Sequence, residues 1–150
     1  MLRKLVLRTA AVVALGAMAA VANAAEFGTA AEAKAMLEKA AAAVKADKAK
    51  ALAAFTAGTD GFKDRDLYPF CANAGDGIFT AHPKLTGKSL KELKDKEGKT
   101  LGAEMLAKAK EGEIVEVEYK WPRPGSEEPV QKTSFVTKIG DQVCAVGYYK

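Results

Sequence analysis

EIVEVEYKWPRPGSEEPVQKTSFVTKIGDQVCAVGYY (Glu113–Tyr149) decides the fold, because it reads as three successive strands, EIVEVEYKW, VQKTSFVTKI and QVCAVGYY. In the first, Val115, Val117, Tyr119 and Trp121 fall on one face and Glu116, Glu118 and Lys120 on the other, the period-two pattern of a half-buried strand. Only Gly140-Asp141 separates the second strand from the third, and glycine there tolerates the positive φ that two-residue hairpin turns need. The proline-punctuated loop PRPGSEEP joins the first two strands. The three should form an antiparallel meander.

Working upstream, about Leu101 to Lys110 reads as a helix with Leu101, Met105, Leu106 and Ala109 on its apolar side and Gly112 as its stop. Ser89 and Glu92 stand at capping-box spacing and predict a short helix over Ser89–Leu93, broken by Asp95–Gly98. Asp66–Ala72 and Ile78–His82 read as a hairpin around the turn-forming run Asn73–Gly77. Pro69 lacks a ladder donor, so the first of these strands must be an edge or an end at that point. From Thr29 to about Phe55 the chain is alanine-rich and free of proline, with Thr29 and Glu32 in capping-box spacing and Gly58 placed as terminator. One long helix is expected there, with Leu37, Ala41, Val44, Leu52 and Phe55 as its apolar stripe, facing either the sheet or a second copy of the helix. The resulting order, long helix, two strands, helical crossover, three strands, is that of an α+β domain with one antiparallel-dominated five-stranded sheet. A ligand pocket is expected between the sheet and the crossover.

The N-terminus carries an address. Arg3, Lys4 and Arg8 form a basic n-region, Thr9–Val21 an apolar run, and Ala22-Asn23-Ala24 a small-x-small cleavage pattern. The run is shorter than the ~20 residues that span a bilayer, so cleavage of a secretory leader after Ala24 is expected, leaving one domain over residues 25–150 with its helix at about 29–57 and its sheet at about 64–150. Loss of the leader lowers the formal charge from +4 to +1. No basic patch with interleaved aromatics remains, so nucleic acid is not an expected partner.

Cys71 and Cys144, 73 residues apart, lie in a chain bound for an oxidising compartment, where an even count favours a disulfide; the alternative is two small buried hydrophobes. Neither belongs to a CxxC or CxxCH pattern, so zinc, redox catalysis and covalent haem find no support, and no cofactor is expected. The chain has one histidine, His82, and no nucleophile elbow, HExxH, P-loop or GxGxxG. NAGDG offers too few alternating oxygen ligands for a calcium loop and reads as a tight turn. Catalysis is therefore not expected, a hydrolase or isomerase built on His82 being the weakest reading. Tyr119-x-Trp121-Pro122 places two rings on one strand face with Lys132 on the next strand. Such a set can wall a pocket selective for a carboxylate or another anion, or can be ordinary core with a solvated lysine.

Taken together, Asp66-Leu67-Tyr68, the strand from Gly77 to Ala81-His82-Pro83, Leu85-x-Gly87, Leu93-x-Asp95-x-x-Gly98, Val117-x-Tyr119-x-Trp121-Pro122-x-Pro124, Lys132 and Val146-Gly147-Tyr148-Tyr149 resemble a single Cache domain, the extracytoplasmic sensor module of chemoreceptors and sensor kinases. The resemblance spans the mature chain. It implies a PAS-like or profilin-like sheet behind a long N-terminal helix, and sensing of a small carboxylate or related metabolite without turnover. It implies ligand contacts at Tyr68, His82, Tyr119, Trp121 and Lys132, with Gly87 and Gly98 shaping the crossover. It also makes the first and last strands central neighbours, bringing Cys71 and Cys144 onto adjacent strands. Because the sequence closes at Lys150, a free-standing secreted, periplasmic member is expected. It would feed signal transduction or chemotaxis through a membrane-bound receptor or kinase partner, and could form a homodimer. The contrasting reading is a structural protein that dimerises through the alanine-rich helix and binds no ligand.

Overall fold

A computed structural model describes residues 26–150; the leader reading over residues 1–24 lies outside the described residues. Helices α1 (Ala30–Ala46) and α2 (Lys48–Ala57) lead into β1 (Pro69–Asn73) and β2 (Phe79–Ala81). The crossover carries α3 (Leu101–Lys108), and β3 (Val115–Pro122), β4 (Pro129–Ile139) and β5 (Gln142–Tyr149) close the sheet. The strand order is β2-β1-β5-β4-β3, with every neighbouring pair antiparallel. The expected α+β architecture, helical crossover included, is the one observed.

Alternation along the strands sorts side chains onto two covered faces. Cys71, Phe135, Ile139, Cys144 and Val146 pack with Leu37, Met36, Ala40, Val44 and Phe55 of the helices. Phe70, Ala72, Val117, Tyr119, Val136, Val143 and Ala145 pack with Leu90, Leu101 and Met105 of the crossover. Leu37 and Phe55 are fully buried, and each withdraws apolar surface worth about 2 kcal/mol. The exposed face of β3 carries Glu116 and Glu118, because α1 packs on β4 and β5 and stops short of it. Asp95 fastens the crossover to the sheet: its carboxylate accepts from the backbone of Glu97, Lys99 and Lys120. Burial pushes its pKa up, but these three amides outweigh it and the carboxyl titrates below its ordinary value.

Cys71 and Cys144 are directly opposed in the β1–β5 register, 4.1 Å apart at Cα, and form a disulfide on the α1 face. Pro69, the first residue of β1, lies beyond the reach of β2 and needs no donor on that side.

Three local expectations are corrected. The N-terminal helix is divided at Asp47, whose extended backbone (φ −157°) ends α1 while its side chain caps α2 at the Lys50 amide, a geometry Asp adopts readily. Ser89–Leu93 is not helical: Ser89 does cap the Glu92 amide, but it also bridges Ile78, and the Leu90 amide is drawn to the Gly77 carbonyl as the Leu90 side chain enters the core. Asp66 and Leu67 belong to a tight turn closed between Asp64 and Leu67, so β1 begins three residues later than expected. Of the two readings of the helix stripe, the one facing the sheet is observed: Leu37 and Val44 pack in the core at 0% and 6% exposure.

Candidate functional site

β4 runs between β3 and β5, and its register sets Lys132 opposite Tyr119 on one side and Tyr149 on the other. Lys132 is 1% exposed. Its Nζ lies 4.5 Å from the Tyr68 ring centroid, 4.8 Å from that of Tyr149, 5.8 Å from Phe70 and 5.9 Å from Tyr119, and it donates to the Tyr68 hydroxyl at 3.1 Å. The rings are held by their own bonds, Tyr119 Oη with Ser134 Oγ at 2.8 Å and Tyr149 Oη to the Pro122 carbonyl at 2.9 Å. Among the described residues no carboxylate forms an ion pair with Lys132. Burial disfavours its charge, while the surrounding phenols of Tyr119, Tyr68 and Tyr149 and the hydrogen bond to Tyr68 favour it; the net direction is up from the ordinary lysine value, so the side chain is an ammonium at pH 7. Burial in turn raises the Tyr119 and Tyr149 phenols, which are neutral at pH 7 and offer the cation π faces and hydroxyls in place of a counter-charge.

Gly147 on β5 makes room for this. A Cβ there would lie 2.3 Å from Lys132 Cε and 2.5 Å from Ser134 Oγ. Gly147→Ala is expected to push the lysine stem out of the ring cage at a stability cost of about 1–3 kcal/mol, readable as a shift of the Lys132 side-chain NMR signals together with the unfolding midpoint.

His82 follows β2 and packs edge-on against Tyr68 and Phe79 and tilted against Phe70, at centroid separations of 5.6, 5.1 and 5.8 Å. Its Nδ1 accepts the backbone amides of Lys84 and Leu85, which leaves the ring proton on Nε2. Burial, then the charges of Lys132 and Lys84, push its pKa down to about 3. The unfolded chain takes up a proton near pH 6.5 that the folded chain refuses. Stability is therefore complete above that pH and falls as pH drops towards 3, by at most about 1.4 kcal/mol per unit. His82→Asn, which keeps an acceptor, should flatten a urea-unfolding series between pH 6.5 and 5, where this single histidine is the side chain expected to titrate.

The space between sheet and crossover is almost filled: a void of about 10 Å³ remains, bounded by Tyr68, Phe70, Phe79, His82, Tyr119 and Trp121 with Leu90, Leu93 and Leu101. That leaves room for about one water at the place where a ligand pocket was expected. A cavity of about 480 Å³ lies next to it, between the end of α2 (Phe55–Gly58), the segment His82–Leu85 and the β3–β4 loop (Trp121–Ser126), with Lys63, Arg65 and Tyr68. Tyr68, His82 and Trp121 line both spaces, Tyr119 only the small one, and Lys132 sits behind them in neither. Sequence reasoning did not single out Tyr149, Phe70, Ser134 and Gly147 as parts of the cage, nor Arg123 as a cavity wall. The register fixed by the Gly140-Asp141 turn, which sets residue 132 opposite 149, was the signal for Tyr149 and Gly147.

Lys132 is thus a buried cation ringed by aromatic faces and phenols, beside a larger cavity and on a disulfide-stapled sheet. The family model for the Cache domain matches residues 25–149, and the chain belongs to that family, whose members are non-catalytic sensor modules. Over 75 residues it is 41% identical to the methyl-accepting chemotaxis protein McpP of Pseudomonas putida; the match covers 49% of this chain and 14% of that protein, so the chain spans a small part of this curated relative. Among solved structures it is similar to a methyl-accepting chemotaxis protein from Vibrio parahaemolyticus (TM-score 0.64, 25% identity, 79% of this chain and 86% of that one). A periplasmic sensor domain of a chemotaxis protein gives a TM-score of 0.57 at 27% identity, covering 77% and 86%. A Cache chemosensory domain described for carboxylic acid recognition gives 0.58 at 24% identity, covering 77% and 84%, a likeness of fold.

Proposed function

We propose that the domain binds a small carboxylate at the Lys132 cage, with Lys132 pairing the ligand's charge, Tyr119 and Trp121 walling it, and Tyr68 and His82 supplying hydrogen bonds, the latter from Nε2. The observation that carries this reading is the buried Lys132 ammonium without an anion: isolated buried charge is costly, and a carboxylate guest would offset it. The recognition of carboxylic acids by a chemosensory domain of the same fold supports the choice of ligand. In this reading ligand binding displaces the Tyr68–Lys132 bond and opens the filled void. Residues 1–24 act as an export leader, residues 25–150 form the single Cache domain in the periplasm or beyond, and the disulfide suits that compartment. Its signal passes to a membrane-bound receptor or kinase partner in a chemotaxis-type pathway, as the chemotaxis relatives suggest.

A thermal-shift screen of short carboxylates tests this. Wild type should gain about 2.7 kcal/mol at a ligand concentration 100 times Kd, and Lys132→Ala and Trp121→Ala should lose the gain. A screen without hits, or hits indifferent to both substitutions, contradicts the reading.

A further inference from the structure

The cavity of about 480 Å³ in front of Trp121 is lined by Lys63, Arg65, Lys84 and Arg123 and by no carboxylate side chain. The two arginines are held: Arg65 against Glu32 and Asp64, Arg123 with Nε 3.5 Å from Asp66 and its guanidinium 4.1 Å over the Phe27 ring. Lys63 and Lys84 are exposed and form no ion pair among the described residues. Clefts lined by one sign of charge with low-dielectric walls focus the field and concentrate counter-ions. We propose that this outer cavity is an anion-collecting site, which gathers small monovalent anions, carboxylates among them, around Lys63 and Lys84. It holds them one side chain away from the Lys132 cage, because Tyr68 lines this cavity and also accepts the hydrogen bond from Lys132. The inference concerns a separate set of cations and stands whether or not Lys132 takes the ligand.

Trp121 is the only tryptophan in the sequence and lines the cavity, so its fluorescence reports the local ion concentration. At low ionic strength iodide should quench it at least about twofold more efficiently than caesium, each normalised to free tryptophan, and added salt should erase the difference. Lys63→Glu combined with Lys84→Glu should bring the ratio to one or below. The charge-matched pair Lys34→Glu and Lys45→Glu, on the exposed side of α1, should leave it unchanged. Equal quenching by both ions, or an equal loss in the control pair, overturns the proposal, since the field would then be absent or global. Acetate should compete with iodide in wild type and in Lys132→Met alike; competition that disappears in Lys132→Met would place the anion in the cage and contradict a separate site. Retained iodide preference without any carboxylate thermal shift would instead remove the Lys132 reading and leave this one standing.

Discussion

Replacing Cys71 and Cys144 together by alanine is expected to lower the unfolding free energy by about 4 kcal/mol, and the midpoint by about 15 °C. The bond joins β1 to β5, the central strand and one of its neighbours, and closes a loop with a sequence separation of 73 residues. That separation sets the loop-closure entropy withheld from the unfolded chain in the entropic model. Both sulfurs are wholly buried beneath α1, so reductant should act only on molecules that have opened, and reduction should follow the unfolding rate. Urea unfolding of the oxidised wild type and of the double alanine variant measures the difference. A loss under about 1 kcal/mol would mean that packing of the two residues, and not the cross-link, is what the sheet needs.

Lys132→Met should have the opposite sign on stability and the larger effect on binding. Exchanging a buried charge for an apolar chain of similar length removes the desolvation penalty, and such replacements are neutral or stabilising by about 1–4 kcal/mol. Here the gain should sit near the low end of about 1 kcal/mol, because four ring interactions and the Tyr68 hydroxyl bond go with the ammonium. The same variant should lose its carboxylate-dependent thermal shift. A more stable protein that no longer responds to ligand is what a binding lysine predicts; a protein destabilised by several kcal/mol would make Lys132 a structural residue.

Much of this architecture is legible in the sequence because it rests on short-range rules. Strand alternation in Val115–Trp121 and the two-residue turn at Gly140-Asp141 define the meander, and Thr29 with Glu32 starts α1 with the expected capping box. The boundaries that shifted are those where tertiary bonds overrule a local pattern. Ser89 has a capping partner but is taken by Ile78, and Asp66 looks like strand but is turned to accept the Gly28 amide. The site was half legible. The aromatic and cationic residues were visible, and the register brings Tyr119, Lys132 and Tyr149 side by side. The filling of the space around Lys132 was not, because it depends on how closely the crossover settles on the sheet, which no periodicity encodes.

The most direct measurement is a crystal structure grown in the presence of acetate. The account predicts carboxylate density with an oxygen about 2.7–3.2 Å from Lys132 Nζ, and Tyr68 Oη moved off the lysine. A cage as closed as it is now, with Lys132 still donating to Tyr68 and acetate bound only elsewhere, would contradict it.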